Sequence, residues 1–140
     1  MLVRANCHLT IERYSERHTP PSDPVIIVPI PPSETGSKKR GYNQTYMIAR
    51  ALKREATFTC KLEPNALLKT RGTIKQATIH DRTSRLANMS GVFEAKRALV
   101  RKKVIILVDD IVTTGATLSD AKRALYEAGA KHVIAITIAH

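Results

Sequence analysis

The stretch "VIILVDDIVTTGAT", Val104 to Thr117, decides the fold. Its apolar run, Val104 to Val108, suits a strand buried on both faces, as strands of a parallel sheet are. Two acids, Asp109 and Asp110, follow at once, and Thr113, Thr114, Gly115, Ala116 and Thr117 then bring hydroxyls and small side chains. From Thr117 to Ala128 the apolar residues Leu118, Ala121, Leu125 and Ala128 share one side of a helix, and Gly129 stands where a left-handed C-terminal cap belongs. "HVIAITIA", His132 to Ala139, reads as another buried strand. Strand, helix and strand at this spacing imply a right-handed parallel crossover, hence an α/β fold with a mainly parallel sheet flanked by helices.

Upstream, "VIIVPIPP" is a β-branched run stopped by prolines, and Val25 to Val28 is expected to be the first core strand. "SETGSKKRGYNQ" follows as a loop. A helix is expected from Asn43 to about Arg54, with Met47, Ile48, Ala51 and Leu52 on its apolar face and Arg50, Lys53 and Arg54 elsewhere. A short strand near Phe58 to Leu62 leads into the basic, poorly periodic "LLKTRGTIKQATIHDRTSRLANMSGVF", with a helical turn or two around Arg82 to Asn88. A connection this long is usually functional, mobile or both. Residues 1–24 carry weak strand character at His8 to Ile11 and close in prolines. They form an N-terminal segment of unassigned role ahead of one domain over 25–140, with no internal repeat.

The bulk properties narrow the function classes. A chain of 140 residues suits one domain. Lys and Arg number 23 against 12 Asp and Glu, a net charge of +11, which favours anionic partners such as nucleic acid, phosphates or an acidic membrane surface without choosing among them. Cys7 and Cys60 belong to no CxxC pair, so neither a disulfide framework nor a zinc knuckle is expected. No apolar run approaches the ~20 residues of a membrane span, and the N-terminus lacks the pattern of a secretory signal. The expectation is a cytoplasmic protein without membrane insertion.

In a parallel sheet, ligands gather where strands end and helices begin, because backbone N–H groups and the helix dipole converge there. The loop Thr113 to Thr117 occupies that position. Small side chains admit an anion close to the backbone, and Gly115 tolerates dihedrals closed to other residues. Asp109 and Asp110 would repel the same anion, so they should face something else. Carboxylates accept hydrogen bonds from sugar hydroxyls or join a Mg²⁺ shell. A ligand with phosphate at one end and a diol at the other, such as ribose 5-phosphate, satisfies both halves. The plainer alternative is that Thr117 and Asp120 form a capping box and the acids are merely solvated. Neither GxxxxGK[ST] nor a GxGxxG after a strand is present.

"VIILVDDIVTTGAT" resembles the phosphoribosyl pyrophosphate fingerprint of type I phosphoribosyltransferases. Within that superfamily the chain is most similar to the ComF family, which is associated with competence for DNA uptake. "RGYNQ", Arg40 to Gln44, matches a hallmark of that group, as does the spaced set Gln76, Arg82, Arg85, Asn88, Gly91 and Phe93. The resemblance covers roughly residues 25–140 and implies a type I phosphoribosyltransferase-like fold. It implies that Asp109 and Asp110 contact the ribose hydroxyls at the catalytic centre, and that Thr113, Thr114, Gly115, Ala116 and Thr117 hold the 5′-phosphate. Lys38, Lys39 and Arg40 would lie near the pyrophosphate, although Lys38 and Lys39 read equally well as a solvated face. Gln76, Arg82 and Arg85 would belong to a lid, with Lys69, Arg71 and Lys75 adding charge.

The implied cofactor is Mg²⁺, bound through the ligand and water near Asp109 and Asp110 with no direct protein ligand. The implied reaction displaces pyrophosphate from the anomeric carbon by a nitrogen nucleophile. ComF-like proteins commonly carry a cysteine-rich zinc module ahead of this domain, and Cys7 with His8 cannot supply one. The chain is therefore expected to be the transferase-like part alone. The rival reading is a non-catalytic adaptor whose basic surface binds single-stranded DNA or a DNA-uptake partner; scarce aromatics, 4% of residues, argue against a base-stacking platform. A homo-oligomer is left open.

Overall fold

The computed structural model describes residues 23–32, 43–70, 91–110 and 115–137. Four strands form one parallel sheet in the order β2–β1–β5–β6: β1 (Val25–Pro29), β2 (Cys60–Leu62), β5 (Val104–Asp109) and β6 (His132–Thr137). Two short strands, β3 (Leu67–Lys69) and β4 (Phe93–Ala95), pair antiparallel as a separate ribbon. The helices are α1 (Gln44–Glu55), the single turn α2 (Arg97–Val100) and α3 (Ala116–Glu127).

The strand order contains a reversal. From β1 the chain steps one way to β2, whereas from β5 it steps the other way to β6. Parallel crossovers are right-handed almost without exception, so opposite steps put their helices on opposite faces. The core divides accordingly. Ile26, Val28, Ile30, Ile105, Leu107 and Val133 pack with Ala121, Ala124, Leu125 and Ala128 of α3. Val25, Ile27, Val104, Ile106, Val108 and Ile136 pack with Ala49 of α1, flanked by Ile48 and Leu52. Alternate residues of one strand thus serve opposite faces, which is why both β1 and β5 are apolar without interruption.

The elements expected within the described residues are present, with two adjustments. The first strand includes Pro29. Pairing with β2 ends at Ile27 and Leu62, so the missing N–H of Pro29 faces no neighbour on that side. Pairing with β5 continues to Pro29 and Val108. The inward stripe of α1 is Thr45, Ile48, Ala49 and Leu52, whereas Ala51 is exposed and Met47 is 51% exposed. The fully buried Ala49 sets that phase, because its small side chain lets the helix lie close on β1 and β5.

α3 ends as anticipated. Gly129 adopts φ 93°, its N–H donates to the Tyr126 carbonyl at 2.9 Å, and the Ala130 N–H donates to the Leu125 carbonyl at 3.0 Å. This is the paired bonding of a Schellman cap. The strand character at His8 to Ile11 and the helical turn at Arg82 to Asn88 lie outside the described residues.

Candidate functional site

β1 and β5 are the adjacent strands from which the chain departs in opposite directions, so their C-terminal ends form the switch point of the sheet. At β1 this end is Ile30 and Pro31, held to β5 by the Ile30 N–H donating to the Val108 carbonyl at 2.9 Å. At β5 it is Asp109 and Asp110, with Asp109 in register with Thr137 of β6. The two acids are not equivalent. Asp109 is 7% exposed and its Oδ1 accepts the Asp110 N–H at 2.8 Å; Asp110 is half-buried at the rim. The first carboxylate therefore braces the turn that presents the second.

Gly115 is the N-cap residue of α3 and adopts the left-handed conformation, φ 75°. The Ser119 N–H donates to the Gly115 carbonyl at 2.9 Å, the helix's first regular bond. A Cβ added at Gly115 would meet no atom of the described residues within 4 Å. Ala116 and Thr117 are exposed in the first turn. An α-helix start carries the positive end of the helix dipole. The site that can be described is thus a buried carboxylate, a rim carboxylate and the start of α3, all at the switch point. Thr113 and Thr114, like Lys38, Lys39, Arg40, Gln76, Arg82 and Arg85, lie outside the described residues.

The capping-box alternative is not what forms. The helix begins before Thr117, and the Asp120 carboxylate turns away from the helix start. Its Oδ1 accepts the Gly91 N–H at 3.1 Å, and its Oδ2 accepts the Val92 and Phe93 N–H groups at 2.9 and 3.0 Å. Arg123 Nε donates to Asp120 at 2.8 Å, and its Nη2 donates to the Phe93 carbonyl at 3.2 Å. Burial alone would raise the Asp120 pKa, but the Arg123 guanidinium and the Gly91 and Phe93 amides outweigh it and hold it below its ordinary value. This cluster pins the ribbon onto the helix that starts at Gly115. The ribbon in turn closes the base of the long basic connection, because the Thr70 N–H donates to the Val92 carbonyl at 2.8 Å and Thr70 Oγ1 donates to the Gly91 carbonyl at 2.7 Å.

Several motif residues acquire physical roles from these contacts. Gly91, at φ 130°, occupies backbone space that other residues rarely adopt. Phe93 is buried in the core beside Leu67 and α3. Asn43, within "RGYNQ", is the N-cap of α1, its Oδ1 accepting the Tyr46 N–H at 3.2 Å. Lys69, expected to lend charge to the lid, is an exposed β3 residue in register with Phe93. Sequence reasoning missed Asp120 and Arg123 as an anchor. The available signal was an acid on the apolar side of α3, next to Ala121 and one turn from Ala124.

Among the described residues no helix is long and apolar enough to cross a membrane. The family model of the phosphoribosyl transferase domain matches residues 48–140. The chain is 34% identical over 109 residues to the Competence protein ComFC of Bacillus subtilis (strain 168), covering 78% of this chain and 41% of that protein. It is 31% identical over 112 residues to the DNA utilization protein YhgH of Escherichia coli (strain K12), covering 79% of this chain and 47% of that one. Competence protein F of Haemophilus influenzae is 27% identical over 110 residues, with 79% and 48% covered. The chain thus spans less than half the length of these relatives. Among solved structures, the allosteric regulatory enzyme of purine biosynthesis superposes with a TM-score of 0.53 at 20% identity, over 90% of this chain and 24% of that one. That likeness concerns the fold, which is type I phosphoribosyltransferase-like.

Proposed function

From the premise that the chain belongs to the phosphoribosyl transferase domain family, we propose that it binds phosphoribosyl pyrophosphate with Mg²⁺ and displaces the pyrophosphate with a nitrogen nucleophile. The observation that carries this reading is the pairing, at one switch point, of the Asp109–Asp110 turn with the start of α3 at Gly115. The sugar diol faces the carboxylates, which accept hydrogen bonds. The 5′-phosphate takes the helix end, whose amides and dipole favour an anion. Placing the charges this way keeps the acids off the phosphate.

Mg²⁺ suits these donors, because it takes one or two carboxylates together with substrate phosphates and water. Asp109 and Asp110 would hold the ion indirectly, through its bound water and the ligand's oxygens, with no direct protein ligand. When bound, it would neutralise charge growing on the departing diphosphate. In the reaction a C–N bond forms at the anomeric carbon as the C–O bond to diphosphate breaks, leaving both electrons of that bond on the diphosphate. No nucleophilic side chain takes part. The protein orients the sugar from both ends and stabilises opposite charges where they develop.

The printed names of the relatives connect those proteins to competence and DNA utilization, which supports placing this activity in DNA uptake or use. The test is calorimetric titration with phosphoribosyl pyrophosphate, with and without Mg²⁺, followed by a product search over nitrogenous acceptors. Magnesium-assisted binding, lost when Asp109→Asn and Asp110→Asn are combined, is the expected result. Binding that ignores both substitutions would overturn the assignment.

A further inference from the structure

The first buried residue of α3 is an acid. Ala116, Thr117 and Ser119 are exposed and Leu118 is half-buried, whereas Asp120 is 9% exposed. At 1.5 Å per residue, Asp120 stands about 7.5 Å along the helix axis from Gly115, beside which the phosphate is proposed to bind. An acid this close to an anion repels it. The contacts of the carboxylate show what offsets that cost.

The side chain is turned from the helix start toward the ribbon. Its Oδ1 accepts the Gly91 N–H and its Oδ2 accepts those of Val92 and Phe93, while Arg123, one turn further on, donates to Oδ1 and balances the charge. Three consecutive amides converging on one short side chain fix both its position and its angle. A single hydrogen bond would fix neither as well. The ribbon that supplies these amides is itself seated in the core, because Leu67 and Phe93 are buried and the Lys96 N–H donates to the Ala66 carbonyl at 2.8 Å. Asp120 thus joins the mostly exposed first turn of α3 to a fixed part of the protein.

The apolar contacts of the helix do a different job. Ala121, Ala124, Leu125 and Ala128 seat the rest of α3 on the sheet. Such contacts are non-directional, and packed helices slide by small amounts across them. Hydrogen bonds to three backbone donors resist that sliding, and they act at the end of the helix where the ligand is placed.

We propose that Asp120 is a positioning residue for the phosphoribosyl site: by gripping the amides of residues 91–93, it fixes the start of α3 where the helix meets the ligand's 5′-phosphate. That role presupposes the binding mode proposed above and adds to it a residue outside the Val104–Thr117 stretch. Its effect is opposite in sign to that of the charge alone. Were Asp120 only a nearby charge, its removal would strengthen binding of an anionic ligand. Were it only a stabiliser of the fold, its removal would leave the affinity of the folded chain unchanged. A positioning residue weakens binding when lost.

The test is calorimetric titration with phosphoribosyl pyrophosphate and Mg²⁺, at a temperature well below the unfolding transition of every variant. Asp120→Asn, which removes the charge and keeps one acceptor, should bind about tenfold more weakly than the parent, and Asp120→Ala at least as weakly. Leu52→Ala, on the opposite face of the sheet, is the stability control: it should lower the melting temperature and leave the affinity unchanged. A second measurement needs no variant. In the parent, saturating ligand should slow amide exchange at Val92 and Phe93 more than at Glu63, whose N–H donates to the Ile27 carbonyl beside the far edge of the sheet. Unchanged or tighter binding by Asp120→Asn would overturn the proposal and leave the phosphoribosyl reading standing. So would equal slowing at all three amides, or a loss of affinity in Leu52→Ala as large as in Asp120→Asn. Absence of binding by the parent would sink the phosphoribosyl reading and this role with it.

Discussion

Replacing Asp120 with alanine removes the acceptor of three consecutive backbone N–H groups and the partner of Arg123 in one step. The magnitude depends on which donors water can reach. Gly91 and Val92 are exposed, so water can replace the carboxylate at little loss. Phe93 is buried, and a buried donor left unsatisfied costs about 1–3 kcal/mol. Arg123 is partly exposed and keeps Glu127 and the Phe93 carbonyl, so its share is discounted to below about 1 kcal/mol. The expected loss is therefore about 1–4 kcal/mol. Asp120→Asn keeps one carbonyl acceptor but turns an amide N–H₂ toward backbone donors, so it should recover only part of that.

Urea unfolding at neutral pH checks the number. With a slope of about 1–3 kcal/mol/M, the midpoint for Asp120→Ala should fall by roughly 1–2 M, and amide exchange at Phe93 should accelerate ahead of β5. The pH dependence adds a sign. The Asp120 pKa lies below its ordinary value in the folded chain, so its contribution is complete above the ordinary carboxylate pKa of about 3.9 and disappears as pH falls through the folded value. The stability gap between the parent and Asp120→Asn should accordingly be constant near neutrality and shrink in acid. A loss under about 0.5 kcal/mol for Asp120→Ala, or a gap that grows in acid, would refute the reasoning.

Two further substitutions address the helix starts. Gly115→Ala must adopt φ 75°, so it should cost about 1–2 kcal/mol of stability and, by adding a methyl group beside the proposed phosphate position, weaken phosphoribosyl pyrophosphate binding more than stability alone explains; equal affinity by calorimetry would contradict this. Asn43→Ala removes the cap of α1 and should cost about 1 kcal/mol in thermal unfolding, with Asn43→Asp retaining most of it.

What could be read from the sequence follows from how local each feature is. β5, α3 and the Gly129 cap are each specified within about a dozen consecutive residues, and all three form as anticipated. The inner face of α1 was harder, because its stripe includes the polar Thr45 and omits the apolar Met47. The ribbon was illegible for a different reason. β3 and β4 are three residues each, drawn from opposite ends of the basic connection, and three residues carry no period. Asp120 was visible as an acid near a helix start and therefore resembled a cap. Its true partners are 27 to 29 residues away in the chain, beyond any local pattern. That Asp109, Asp110 and Gly115 stand together between the end of β5 and the start of α3 was legible because they lie within a few consecutive residues.

β5 orders the charges of the proposed site. Its C-terminal end presents carboxylates, which must not meet a phosphate directly, and in the proposed binding mode the adjacent start of α3 takes the phosphate instead. A buried six-residue strand with every side chain packed on one face or the other is stiff enough to hold that separation. Neutralising Asp109 and Asp110 should therefore weaken sugar-phosphate binding without unfolding the sheet. Raising the salt should weaken it only modestly, because partly buried charges are screened less than exposed ones. A steep loss of affinity with salt at unchanged thermal stability would put the ligand on an exposed surface instead.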